Sequence, residues 1–174
     1  MMMLQTSIKT VLVKNPETAP SKLLSDINRV LTDNIKSLGE DKYITITVLA
    51  SFPEGRFLFS GLHEDIMVFR NVKKTVESVK TEGMWLGIKD DITSFMEDNE
   101  LTLEKGDILL LYTDGITEAM DEGHNIFSKK RLAEILRNNG DKSPEFIKNI
   151  ILGELNSGFR QKDDVTMIIL KRIE

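Results

Sequence analysis

Near Gly39 the spacing of apolar residues changes from helical to alternating, and that switch limits the fold more than any other feature of the chain. Before it, Leu4, Ile8, Val11 and Leu12 recur at three- and four-residue steps, which predicts a helix over residues 2–13. The connector "KNPETAP" (14–20) leads into a second helix that begins between Thr18 and Ser21, with Pro20 in its first turn. Leu23, Leu24, Ile27, Val30, Leu31 and Ile35 form its apolar stripe, and Gly39 ends it. After the switch, "KYITITVLASF" (42–52) alternates. Tyr43, Thr45, Thr47 and Leu49 fall on one face, and Ile44, Ile46, Val48 and Ala50 on the other.

More strands follow. Pro53-Glu54-Gly55 signals a turn, "RFLFSG" (56–61) pairs back as a hairpin, and "DIMVFR" (65–70) reads as another short strand. "SVKTEGMWLGI" (78–88) is an extended segment broken by Gly83 and Gly87. "ITSFMEDNELTL" (92–103) carries an Asp98-Asn99 turn between two strand-like halves, and Ile108 to Tyr112 reads as a buried strand. Helical spacing then returns. "NIFSKKRLAEILRNNG" (125–140) has Ser128 as N-cap and Leu132, Ile135 and Leu136 as its stripe. "KSPEFIKNIILGELNSG" (142–158) opens with a cap, an N1 proline and a first-turn acid in Ser143, Pro144 and Glu145. Val165 to Leu170 forms a last buried strand. No repeat or linker interrupts the chain, so residues 1–174 read as a single domain. Segregated strands and helices predict an α+β fold, with helices packed on an antiparallel sheet.

Composition narrows the chemistry. The net charge of -5 is spread along the chain, which argues against nucleic acid as a partner. No apolar run is long enough to insert in a bilayer, and the start lacks the basic region and cleavage site of a signal peptide, so a cytoplasmic location is expected. The absence of cysteine excludes disulfides, thiolate zinc sites and cysteine nucleophiles. With only His63 and His124 available, a metal site must rest on carboxylates, carbonyls and water, which suits hard ions such as magnesium or manganese. His63, beside Glu64 and Asp65, reads as a strand-end residue, with a ligand role as the sharper alternative. His124 reads as solvated. Trp85 reads as core filler or a docking residue, and Lys129, Lys130 and Arg131 as a solvated helix face, with phosphoprotein docking as the alternative.

The carboxylates concentrate at two strand ends. Asp114 follows the strand Ile108–Tyr112, and Asp163 and Asp164 precede the strand Val165–Leu170. If those strands are antiparallel neighbours, the three acids share one edge of the sheet, where a divalent cation is their natural partner. Gly115 would let the backbone turn sharply and approach a ligand. Asp-Gly after a strand is also an ordinary turn signal, and Asp-Asp before one can be a solvated loop. Spacing alone leaves both readings open.

The motifs themselves carry a resemblance. "GDILLLYTDGITEA" resembles the strand-and-loop signature of bacterial metal-dependent serine phosphatases of the SpoIIE/RsbU type, a branch of the phosphatase 2C-like (PPM) family. "KDDVTMIILKR" is similar to that family's closing motif, and "NIF" with its following helix to the usual continuation. "GMWLGI", "LFSGLHEDIMVFR" and "PSKLLSDINRVL" resemble three upstream elements in the same order, so the likeness covers nearly the whole chain. It implies an α-β-β-α sandwich of antiparallel sheets flanked by helices, with two manganese or magnesium ions at one end of the sheets. It implies that Asp114 and Asp163 are metal ligands that serve catalysis, with Asp164 and Gly115 supporting them. Glu118 is given no catalytic role. The implied reaction is metal-assisted hydrolysis of phosphoserine or phosphothreonine by a metal-bound hydroxide. The implied partner is a regulatory phosphoprotein such as an anti-sigma-factor antagonist, which would place the chain in sigma-factor signal transduction. A non-catalytic binding module of the same fold is the alternative.

The resemblance also shows a departure. The family's Gly-Asp and Gly-His-Gly segment, with its acidic ligand, has no counterpart here, so the domain reads as N-terminally incomplete and the chain as a fragment whose Met2, Met3 and Leu4 face a core. Such a chain is expected to be a poor phosphatase alone. A bared sheet edge is expected to drive homodimerisation.

Overall fold

In the computed structural model, which describes residues 2–39 and 42–174, the first elements are α1 (Met2–Lys14), α2 (Pro20–Ser37), β1 (Ile46–Ser51), β2 (Arg56–Leu62), β3 (Ile66–Arg70) and β4 (Thr75–Val79). There follow β5 (Asn99–Thr102), β6 (Ile108–Tyr112), α3 (Asp114–Thr117), β7 (Met120–Asp121), α4 (Lys129–Asn138), α5 (Pro144–Asn156), β8 (Phe159–Arg160) and β9 (Met167–Lys171). They form two compact units. The first runs through to His63 and adds Thr81–Thr102; the second comprises Glu64–Lys80 and Leu103–Glu174.

The first unit packs α1 and α2 with an antiparallel sheet of order β1-β2-β5. Its core joins Leu23, Leu24, Ile27 and Leu31 of α2 to Leu86, Ile92 and Met96. Burying each such aliphatic side chain contributes about 1.5–3 kcal/mol. The α1 stripe Leu4, Ile8, Val11 and Leu12 packs against this core. Met3 does not: it is 45% exposed, because it lies off that stripe; the Met2 side chain lies outside the described ones. Val30 of α2 is likewise half exposed. Buried Asn28 pins the segment after Leu86. Its Nδ2 donates to the carbonyls of Lys89 (2.8 Å) and Asp90 (3.1 Å), and its Oδ1 accepts from the Gly87 N–H (2.9 Å). Of the extended segment expected at 78–88, Ser78 and Val79 belong to β4 and Leu86 forms a single bridge with Ile44, with no strand between them.

Residues 92–98 differ from expectation too. Asp91 accepts from the Thr93 N–H (2.9 Å) at the start of one 3-10 turn, Thr93–Phe95, closed by the Phe95 N–H on the Ile92 carbonyl (2.9 Å), where a strand half was predicted. Asp98 is not a free turn residue. Its carboxylate accepts from Ser21 N–H (2.8 Å) and Ser21 Oγ (2.6 Å), capping α2, whose N-cap Ala19 has no side-chain acceptor. Trp85 is 39% exposed and stacks on Tyr43 at 4.6 Å, so it does not fill the core.

The second unit holds an antiparallel sheet of order β4-β3-β6-β9, with α4 and α5 on its apolar face. Met67, Phe69, Ile108, Leu110 and Tyr112 alternate onto that face and meet Leu132, Leu136, Ile147, Ile151 and Leu155. Ser128 and Ser143 cap α4 and α5 as predicted, through the N–H groups of Arg131 and Phe146. The α4 cations are not simply solvated. Lys129 pairs with Glu64 (3.0 Å) and Asp65 (3.7 Å), and Arg131 with Glu154 (2.8 Å). A two-stranded ribbon of β7 and β8, too short for any periodicity to reveal, completes the unit.

Candidate functional site

β6 and β9 are antiparallel neighbours, with Tyr112 opposite Met167. The end of β6 therefore meets the start of β9. Thr113 stitches the two together. Its N–H donates to the Thr166 carbonyl (3.1 Å), its hydroxyl donates to the Asp164 carbonyl (3.1 Å), and that hydroxyl accepts from the Thr166 N–H (3.1 Å). Asp114 then starts α3, a single helical turn, rather than the Asp-Gly hairpin turn the dipeptide could have signalled. The turn closes through the Glu118 N–H on the Asp114 carbonyl (2.8 Å).

Gly115 is required here by close approach. A Cβ on it would lie 2.4 Å from the Asp164 carbonyl oxygen and 3.1 Å from that of Asp163. The neighbour that demands glycine is thus the other acidic motif, and the backbone at Gly115 is not left-handed.

Asp114 and Asp163 line one cavity of about 130 Å³, with Gly115, Glu118, Ala119 and Lys162. Asp114 is half-buried and Asp163 exposed. The Asp163 carboxylate accepts from the Asp164 N–H (2.7 Å). Asp164 contributes its carbonyl to Thr113 and does not line the cavity. Glu118 and Lys162 are the residues that sequence spacing did not place here. Glu118 follows Asp114 by four, which puts it one helical turn on and on the same side. Lys162 had no signal beyond adjacency to Asp163. Three acidic residues, Asp114, Glu118 and Asp163, line this cavity, and carboxylates suit a hard divalent ion. Among the described residues, however, no group of three or more histidine, aspartate or glutamate side chains is placed to hold a metal. The donor set therefore fits part of a metal centre and not a complete one. His63 belongs to the first unit, its backbone bonded to Thr81, and is not among the residues lining this cavity.

The opposite end of β6 shows what a structural carboxylate looks like in this chain. Asp107 is 1% exposed. It accepts from the N–H groups of Asn71 (2.8 Å) and Glu104 (3.0 Å) and pairs with the Arg70 guanidinium (3.0 Å). Burial works to raise its pKa, but those hydrogen bonds and the Arg70 charge outweigh it and hold the carboxyl below the ordinary aspartate value. At the site end, the Tyr112 hydroxyl is buried without a hydrogen-bond partner among the described residues. Burial first, then the charges of Glu64 and Asp65, push this phenol well up.

Antiparallel sheets with helices match the fold of solved PP2C-like phosphatase domains. The SiaA-PP2C domain of Pseudomonas aeruginosa matches with a TM-score of 0.78 at 17% identity, over 98% of this chain and 68% of that one. The phosphatase domain of SpoIIE from Bacillus subtilis (Mn presoaked) matches with a TM-score of 0.58 at 17% identity, over 98% and 73%. In sequence, residues 1–173 match the family described as Stage II sporulation protein E (SpoIIE), and the chain belongs to that family. Phosphoserine phosphatase RsbU of Bacillus subtilis (strain 168) is 30% identical over 173 residues, covering 95% of this chain and 49% of RsbU. The chain thus spans about half the length of that relative.

Proposed function

We propose that residues 1–174 act as a single PPM-type domain of a metal-dependent protein serine/threonine phosphatase. The carrying observation is that Asp114 and Asp163, 49 residues apart in sequence (163 − 114), line one cavity at the joined ends of β6 and β9. The likeness to a phosphoserine phosphatase over 95% of the chain supports the same reading. The substrate class is phosphoserine or phosphothreonine on a regulatory protein, an anti-sigma-factor antagonist in the reading carried by the sequence motifs, acting in the cytoplasm. Manganese or magnesium, when bound, supplies charge neutralisation and an acidified water for attack on phosphorus. Asp114 and Asp163 would contribute two of its carboxylate ligands, Asp164 holds Thr113 in place, and Gly115 lets the two loops touch.

Affinity of a hard-ion site follows the number and charge of its ligands, so two carboxylates should bind manganese weakly. Calorimetric titration with manganese and a p-nitrophenyl phosphate assay on this polypeptide test the point. Millimolar binding with little turnover is expected. Tight binding with full turnover would sink the incomplete-site reading. A phosphatase-fold module that only binds partners is the second reading, favoured by the missing third ligand among the described residues. Loss of residual manganese-dependent turnover on Asp114→Asn would decide against it. Self-association is also proposed, through β9, which ends its sheet and exposes Ile168 and Leu170. A monomer by light scattering at high concentration would count against it.

A further inference from the structure

We propose that the cleft beside the β7–β8 ribbon receives the phosphate-bearing segment of the substrate, with Arg160 and Lys162 as its anion-binding cations. The proposal rests on the phosphatase reading of Asp114 and Asp163. Lys162 lines two hollows at once. One is the carboxylate cavity; the other is a cleft of about 440 Å³ lined by Met120, Asp121, Glu122, His124, Arg160 and Lys162. Arg160 in turn lines a further hollow of about 600 Å³ that runs past Asn156–Phe159. The 440 Å³ cleft shares Lys162 with the carboxylate cavity and Asp121, Glu122 and Arg160 with the further hollow, so it adjoins both.

The cations on this surface are available. Elsewhere in the same unit Arg70, Lys129, Arg131 and Lys148 are engaged with carboxylates. The side chains of Arg160 and Lys162 make no ion pair among the described residues, and both are exposed. Of the two acids in the cleft lining, Asp121 and Glu122, Asp121 is already bound: it accepts from the Asn125 N–H (2.8 Å) and side-chain amide (3.0 Å). The platform is anchored. Phe159 packs edge-on against Phe127 at 5.1 Å, and the Arg131 guanidinium covers both rings. The carboxylate cavity has one further need that Lys162 meets. Asp114, Asp163 and Glu118 repel a phosphate dianion, and Lys162 is the cation in their lining. Guanidinium and ammonium groups are the side chains that hold phosphoryl oxygens.

The test uses a short phosphoserine peptide, its unphosphorylated twin and inorganic phosphate, titrated into the full chain and followed by amide NMR shifts. Shifts over residues 120–124 and 158–163 that need the phosphate are expected. Replacing both cations (Arg160→Gln with Lys162→Gln) should weaken the phosphopeptide by about tenfold or more, as loss of two charge-assisted contacts implies. The control pair Lys130→Gln with Arg137→Gln removes the same charge from exposed positions of α4 and should change affinity by less than about twofold. Equal weakening by both pairs, phosphate-independent shifts, or shifts that map elsewhere would each overturn the proposal. Asp114→Asn separates the two readings: it should abolish turnover if the phosphatase reading holds, while leaving phosphopeptide binding at the cleft intact or tighter.

Discussion

The two ends of β6 carry the same residue type to opposite ends of its range. Asp107 enters the strand buried, with two backbone donors and a guanidinium on its oxygens. Asp114 leaves it half-buried, and no donor or cation among the described residues reaches its carboxylate. A carboxylate that holds the fold together is one whose oxygens are already spent. A carboxylate that can take a ligand is one whose oxygens the fold has left over. The contrast separates the stabilising acid from the candidate ligand without reference to any relative.

The largest effect should come at the buried end. Asp107→Ala leaves two buried N–H groups without their acceptor and takes one of two carboxylates from Arg70, which keeps Glu77 (2.7 Å); it should cost about 2–4 kcal/mol in urea unfolding, while Asp114→Ala should stay within about 0.5 kcal/mol. Equal costs would break the comparison. Next, Gly115→Ala should cost about 1–3 kcal/mol, since its Cβ meets fixed backbone of the opposite loop. Gly153→Ala in α5, where nothing lies within 4 Å, should instead stabilise by up to about 1 kcal/mol. A third test is pH. Asp107 has its folded pKa depressed, so its contribution is present above the unfolded aspartate value of about 3.9 and is lost as pH falls through the folded one. Asp107→Asn should flatten that acid limb of the stability curve, and an unchanged limb would show that other acids set it. The smallest effect concerns the open end. Manganese at a concentration equal to its dissociation constant should add only about 0.4 kcal/mol of stability, and Asp114→Asn should remove that increment.

Much of this was legible in the chain. Helices with an apolar stripe, α2, α4 and α5, the last two with a serine cap, lie where their residues predicted. So do β6 and β9, but only β6 is buried: β9, expected as a buried strand over 165–170, ends its sheet over Met167–Lys171 and leaves Ile168 and Leu170 exposed. The adjacency of Asp114 to Asp163 followed from the two strands being antiparallel. What escaped were features set by tertiary partners. Asp98 looked like a turn residue because its role, capping α2, is fulfilled 77 positions away. Lys129 and Arg131 looked solvated because their acids come from other segments. Gly115 pointed to a sharp turn, whereas the true constraint is the backbone of Asp163 and Asp164. The β7–β8 ribbon, two residues per strand, had no period to read.

The Thr113 hydroxyl has a consequence for how this site meets an ion. It donates to one strand's carbonyl and accepts from that strand's amide, so the two acidic loops are fastened by neutral groups alone. The loops carrying Asp114 and Asp163 are therefore joined before any cation arrives, and an ion held as proposed would spend little of its binding energy on closing them. Its hold would depend on the count of oxygens on offer, so one more carboxylate, supplied by any chain that can reach the cavity, would raise affinity steeply.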